Sequence, residues 1–241
     1  MADKTNFDKI NEYYQENFDN VFARTEKALS GNRENNYKIL GWESRDAQYK
    51  RFSILAKNIN LNHKKLLDVG SGLGDLYHFL TQGLHWSVDY VGTDILPNMV
   101  KMAKEQAEQI QLPPGVNAVC RFLNTDIFDA NSENLKNDKF DVVYTSGIFN
   151  LNLGNNKTFL KSSFERLAVI ADEYFVCSLL SDTSKNKEDA YYYYNSEIIE
   201  KSMIDVKKMY PSSEYTIVDG YLPNDMTVIW KKSPDSGIQT P

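Results

Sequence analysis

The sequence holds only two cysteines and three histidines, and no apolar run approaches the roughly 18 residues that a membrane-spanning helix needs. Each scarcity removes a class of protein. Cys120 and Cys177 stand apart from each other and from any histidine cluster, so neither a disulfide framework nor a metal site is expected. The polar stretch Met1 to Lys9 carries no apolar segment of the kind that directs secretion, so both thiols are expected to be reduced and the protein cytoplasmic. An excess of positive charge is also missing. The formal net charge is −6, with lysines and arginines interleaved among acids. Affinity for nucleic acid rests largely on neutralising phosphates, so a polyanion is not the expected partner, and neither is a membrane. Apart from Tyr191 to Tyr194 there is no low-complexity tract, and no internal repeat.

What is present divides the chain in three. Residues 1–60 are rich in Asn, Glu, Lys and Tyr. Phe18, Val21 and Phe22, then Tyr49, Phe52 and Leu55, recur at helical spacing, which predicts two or three helices broken at Ser30-Gly31-Asn32 and again near Gly41. This segment reads as an N-terminal helical cap. Residues 61–232 change texture: short β-branched and leucine-rich runs alternate with amphipathic stretches, the pattern of a parallel sheet flanked by helices. Strands are expected at 65–69, 88–94, 116–123, 140–145 and 173–179. Helices are expected at 76–80, 97–111 and 196–209. Two closing strands, 215–219 and 226–231, are joined by a short turn through Leu222-Pro223-Asn224-Asp225 and should form an antiparallel edge pair. Residues 233–241 read as a loose tail. The fold class is therefore α/β: a seven-stranded, mostly parallel sheet with helices on both faces, an antiparallel C-terminal hairpin and a helical cap.

The chemistry concentrates where strands end. Leu66-Leu67-Asp68-Val69-Gly70-Ser71-Gly72-Leu73-Gly74-Asp75 is a buried strand entering a glycine-rich turn and then a helix. Glycines there allow the dihedrals of a tight turn and let a ligand lie against the backbone. Nicotinamide and flavin enzymes place G-x-G-x-x-G at the same point, so the turn alone decides little. Here the run is Asp-x-Gly-x-Gly-x-Gly. An anionic Asp68 suits a ligand bearing ammonium and sulfonium charge better than a pyrophosphate. Asp94 ends the next strand 20 residues after Gly74, where a carboxylate can accept from both ribose hydroxyls. Asn124-Thr125-Asp126-Ile127 ends the third, where a polar side chain beside an apolar one can hold an adenine amino group and cover the ring. Phe140 to Asn150 empties a fourth strand into a polar, glycine-containing loop at the same carboxyl edge, where open α/β sheets bind ligands.

These four blocks, in this order and at these intervals, resemble the class I methyltransferases that use S-adenosylmethionine (SAM), over about residues 60–180. The resemblance implies that Asp68 and the loop of Gly70, Ser71, Gly72 and Gly74 surround the methionine part of SAM. It implies that Asp94, followed by Ile95, holds the ribose, that Asp126 and Ile127 contact the adenine, and that Ser146 and Gly147 face the transferable methyl. The closing hairpin is a trait of the same family. Gln48-x-x-Arg51-Phe52, Tyr191 to Tyr194 and Asp219-Gly220-Tyr221-Leu222-Pro223 look like features of a bacterial group within it.

Plainer readings stand beside these. The glycines could be a structural turn, Asp94 a helix cap ahead of Pro97, and Asp126 a turn cap. Arg51 could clamp the SAM carboxylate with its planar fork or be an ordinary surface cation. Trp42, Phe149, Asn150 and Tyr192 are candidates for the substrate pocket, although large aromatics more often pack a core. His63, His78 and His85 all lie outside the blocks that would face the methyl. Transfer from a sulfonium is an in-line displacement at an activated carbon, so positioning can suffice without a base.

The expected activity is SAM-dependent methyl transfer to an oxygen, nitrogen or carbon of a small metabolite. The loop Ser146-Gly147-Ile148-Phe149 lacks the Asn/Asp-Pro-Pro-Tyr/Phe run associated with amino-group methylation in nucleic acids and proteins. An RNA or protein methyltransferase, a SAM-binding module without catalysis, and a nicotinamide-dependent oxidoreductase are the alternatives.

Overall fold

The computed structural model of the chain describes residues 5–25, 33, 36–129, 135 and 138–233. The turn expected at Ser30-Gly31-Asn32, the side chains of Val21 and Phe22, and the tail from 234 onward lie outside the described residues. Three N-terminal helices, α1 (Asn6–Thr25), α2 (Asn36–Ile39) and α3 (Arg45–Asn58), precede β1 (Lys65–Val69). There follow α4 (Asp75–His78), β2 (Asp89–Asp94), α5 (Pro97–Glu108), β3 (Val119–Asn124), β4 (Phe140–Ser146), α6 (Asn156–Ile170), β5 (Ala171–Leu180), α7 (Ser196–Met209), β6 (Glu214–Asp219) and β7 (Asp225–Lys231). The seven strands form one sheet in the order β3-β2-β1-β4-β5-β7-β6. β1, β4 and β5 run parallel, as do β2 and β3, while β7 is antiparallel to both β5 and β6. The expected architecture is therefore the observed one, including the closing hairpin. No described helix is long and apolar enough to cross a membrane.

Boundaries differ from expectation where turn chemistry intervenes. β3 begins at Val119 because Gly115, at φ 84°, and the Val116 N–H to Pro113 carbonyl bond (3.1 Å) complete a turn first. The short helix after the glycine loop widens at Phe79–Gly83 into one π turn, closed by Leu84 N–H donating to the Phe79 carbonyl. Gly41, at φ 72°, separates α2 from α3 as the sequence suggests, and Ser44 caps α3 by accepting from Ala47 N–H.

The chain divides into two compact units: residues 1–63 with 70–126, and residues 64–69 with 127–241. The N-terminal helices thus belong with the glycine loop, β2, α5 and β3. Phe18 of α1, Ile39, Leu73, Leu96 and Met99 form one buried cluster, with Tyr14, Leu40, Ile95 and Met102 packed on it. The core of the second unit is aromatic. Phe164 packs against Phe175 with ring centroids 5.1 Å apart, Phe175 stacks on Trp230, and Tyr210 meets the Trp230 edge. Pairs of this kind stabilise by about 0.5–1.5 kcal/mol beyond the area they bury.

Candidate cofactor and acceptor sites

In the first unit the loop after β1 turns through Gly70, Gly72 and Gly74, all in the left-handed region at φ 73°, 53° and 75°. Gly70 and Ser71 both donate their N–H to the Thr93 carbonyl (2.8 and 2.9 Å), which ties the loop to the end of β2. One residue on, Asp94 accepts from Gly72 N–H with Oδ2 and from Leu96 N–H with Oδ1, each at 3.0 Å. Its carboxylate therefore bridges the glycine loop and the start of α5, and Leu96, not Asp94, occupies the cap position of that helix. Burial pushes the Asp94 carboxyl up, opposed by the backbone N–H groups of Leu96, Gly72 and Ile95. Asn124 Nδ2 and Thr125 N–H both donate to the Asp94 carbonyl, at 3.0 and 3.1 Å, so the end of β3, leading to the half-buried Asp126, is tied to the same point.

The helix that follows the loop opens on a carboxylate that the sequence reasoning passed over. Asp75 is buried and accepts from Asn36 Nδ2 (2.7 Å), Gln48 Nε2 (3.2 Å) and Arg33 Nη1 (3.4 Å). Asn36 in turn exchanges hydrogen bonds with Gln106 of α5. Burial pushes the Asp75 carboxyl up and the Arg33 guanidinium down, so each relies on its partners to keep its charge. A signal existed. Gln106 falls in register with Met99, Val100 and Ala103 on the buried stripe of α5, where an amide needs a partner.

Arg51 is only 8% exposed, and its guanidinium lies 4.3 Å over the Trp42 ring. The surface-cation reading is thereby corrected. Leu40 lies over the loop: a Cβ on Gly72 would meet its Cδ2 at 2.5 Å. His78, one turn into the helix, is held neutral, its pKa pushed down to about 4 by burial and by Arg33 and Arg45. His63 and His85 occupy left-handed loop positions.

In the second unit Asp68 is buried in β1, in register with Tyr144 of β4. Burial pushes the Tyr144 phenol up, and the Asp68 charge adds to it, while Ser146 and Ser178 act against it. β4 ends at Ser146, and Gly147, at φ 94°, starts a turn closed by Asn150 N–H to the Gly147 carbonyl (3.0 Å). The Asn150 carbonyl accepts from Tyr192 N–H (2.8 Å), whose half-buried ring packs edge-on against Tyr194. Phe149 is fully buried among Phe128, Phe159 and Phe164, so it leaves the substrate set and joins the core. Ile127 is buried, and its carbonyl accepts from Arg166 Nε.

Residues 60–215 match the family described as Methyltransferase domain. The chain belongs to that family. It is a SAM-dependent methyltransferase of the Rossmann-like, class I fold. The fold is shared with magnesium protoporphyrin IX methyltransferase from Synechocystis PCC 6803, solved with bound SAM: 15% identity, TM-score 0.64, covering 97% of this chain and all of that one. The plantazolicin methyltransferase BpumL, solved with a triazolic desmethyl substrate analogue and S-adenosylhomocysteine (SAH), is 16% identical at TM-score 0.57, covering 93% of this chain and 98% of that one. The small RNA methyltransferase HEN1 aligns at 14% identity and TM-score 0.59 over 80% of this chain but 26% of its own. No curated protein sequence matches. The residues present suit the cofactor of this methyltransferase. In the first unit Asp94 is a carboxylate, the chemistry that accepts from ribose hydroxyls, and the buried Ser71 Oγ finds no hydrogen-bond partner among the described residues.

Proposed function

We propose that this methyltransferase acts on a small metabolite in the cytoplasm, moving a methyl group to an oxygen, nitrogen or carbon. The cytoplasmic reading rests on Cys120 and Cys177, both free thiols. When bound, SAM supplies an electrophilic methyl on a sulfonium, and the protein's part is to hold and dry it. Asp68 and the loop of Gly70, Ser71, Gly72 and Gly74 hold the methionine part. Asp94 and Ile95 hold the ribose, and Asp126 with Ile127 the adenine. Ser146 and Gly147 face the methyl, and Arg51 reaches the cofactor carboxylate from the cap. Trp42, Asn150 and Tyr192 contribute acceptor contacts. His78 is a weak base, its pKa pushed down to about 4 mainly by burial, and its Nδ1 lies 3.5 Å from Tyr49 Oη.

The observation that carries the small-acceptor reading is the covering of the glycine loop. Leu40 sits over Gly72, and α2 and α3 are pinned to Asp75, so among the described residues the N-terminal helices cover the glycine loop and narrow the approach for a polymer. An RNA acceptor is the second reading, supported by the likeness in fold to HEN1 and opposed by the net charge of −6. Formation of SAH from SAM, followed with fractionated metabolites and with small RNA in parallel, tests the choice. Turnover with a low-mass fraction and none with RNA is expected. The reverse result would replace the small-molecule reading.

A further inference from the structure

The second unit contains an open cavity of about 440 Å³ lined by Thr183 of the loop after β5 and by residues 219–223 and 225 around the turn between β6 and β7. Its place follows from strand direction. β5 runs parallel to β4, and β6 lies antiparallel to β7, which is antiparallel to β5. Ser146, Leu180 and Asp219 therefore end their strands on one edge, and β7 starts there, with Asp225 in register with Leu180. The cavity stands at the carboxyl end of β5, next to the strand whose following loop, Ser146-Gly147, is assigned to the methyl.

Its walls are braced. Ser181 N–H donates to the Asn224 carbonyl at 2.7 Å, and Ser184 Oγ donates to Asn224 Oδ1 at 2.9 Å, so one asparagine joins both loops. Tyr221 Oη meets Thr227 Oγ1 at 2.8 Å, and Thr227 Oγ1 meets Ser178 Oγ at 3.3 Å. Ser146, Ser178 and Thr227 lie in one register row across β4, β5 and β7. That row of hydroxyls, through Thr227, fixes the Tyr221 ring at the cavity wall. A wall that is already ordered does not have to be ordered by the ligand.

The lining sets the ligand chemistry. Leu222, Pro223 and the Tyr221 ring give an apolar side; Thr183 adds a hydroxyl. Among the described residues the charged lining residues are Asp219, exposed at the rim, and Asp225, buried where β7 begins; both are acids, and no described lysine or arginine lines the cavity. An anionic ligand would be repelled, while a cation with an apolar body finds both a counter-charge and a surface. About 440 Å³ lies within the usual range for small-ligand pockets.

We propose that this cavity is the acceptor pocket and that the acceptor carries an amine: Asp219 at the rim holds its ammonium, the buried Asp225 adds negative potential behind it, and Tyr221, Leu222 and Pro223 hold its apolar body. The inference rests on the small-molecule reading and names the class of molecule.

Two probes of similar size and opposite charge test it on the full chain, with and without SAH: phenethylamine and 3-phenylpropionate, followed by saturation-transfer NMR and calorimetry. Phenethylamine should bind about tenfold or more tighter than 3-phenylpropionate, the ratio that one charge-assisted contact supports. Asp219→Asn, at an exposed position, should lower that preference, and Leu222→Trp should abolish binding of phenethylamine by filling the cavity. Both variants should keep wild-type SAH affinity. Equal binding of the two probes, no binding of either, or phenethylamine binding that survives Leu222→Trp overturns the proposal. Displacement of SAH by phenethylamine also overturns it, because the cavity would then belong to the cofactor. Failure of SAH to bind the wild-type chain counts against the cofactor assignment, and the amine preference measured without SAH still decides the cavity.

Discussion

In the first unit a single buried carboxylate, Asp75, gathers Arg33, α2 and α3 onto the helix that follows the glycine loop. In the second unit the loop after β4 rests on rings, with Phe149 enclosed by Phe128, Phe159 and Phe164, and Phe164 against Phe175 and Trp230 beyond it. The difference matters because the two kinds of support fail differently. Aromatic packing is spread over many contacts, so removing one ring costs much stability and leaves the loop's own hydrogen bonds in place. A polar hub is concentrated: removing its centre strands several buried donors at once and frees the segments they held.

The largest effect is expected from Phe164→Ala, which empties a fully buried site between two other rings. Urea denaturation should show a loss of about 3–5 kcal/mol. SAH affinity, measured well below the transition, should change little. Asp75→Ala comes next, with a loss of about 2–4 kcal/mol because Arg33, Asn36 and Gln48 are left short of an acceptor. Here cleavage of residues 1–60 by protease should quicken and SAH affinity should fall. If Phe164→Ala weakens SAH binding as much as Asp75→Ala does, the contrast between distributed and concentrated support is wrong.

Asp94→Ala separates binding from support. It removes the acceptor that joins Gly72 to Leu96 and the proposed ribose ligand together, so SAM affinity should drop by about 1.5–3 kcal/mol in calorimetry. Unchanged affinity in a folded variant would leave Asp94 with a structural role alone.

The smallest effect concerns pH. His78 is pushed down to about 4 in the folded chain, against an ordinary value of 6.5. Between those values the unfolded chain binds the proton and the folded chain does not, so stability falls as pH drops from 6.5 toward 4. Asp75 and Asp94, whose carboxyls are pushed up, act in the opposite sense, since they bind protons in the folded chain first. His78→Gln should therefore flatten the acid-side fall in melting temperature relative to the wild type. A pH profile unchanged by the substitution would show that His78 titrates alike in both states.

Much of this was legible in the residues. Strand identity followed from apolar runs ending at Val69, Asp94 and Ser146, because a strand buried on both faces cannot hide its composition. The helix Ser196–Met209 lies at the bounds expected for it, and the structure adds Asn195, which caps it by accepting from Ile198 N–H. What stayed hidden depends on contacts between distant positions. Gln48 stands out in the sequence only as part of Gln48-x-x-Arg51-Phe52, yet its amide turns to Asp75, 27 residues away. Phe149 sits in a polar loop by sequence, and only the rings brought by α6 and the segment after β3 make it core. The hydroxyls of Ser178 and Thr227 looked unremarkable within their strands, since register, not composition, places them side by side.

The most direct test of the cofactor site is a thermal-shift panel of SAM, SAH, NAD and NADP on the full chain. A ligand that binds the folded state alone raises the melting temperature by mass action. SAM and SAH should raise it and the dinucleotides should not, and Asp94→Ala should shrink the SAH shift. A rise with NAD or NADP and none with SAM or SAH would contradict the assignment of Asp68, the glycine loop and Asp94 to SAM.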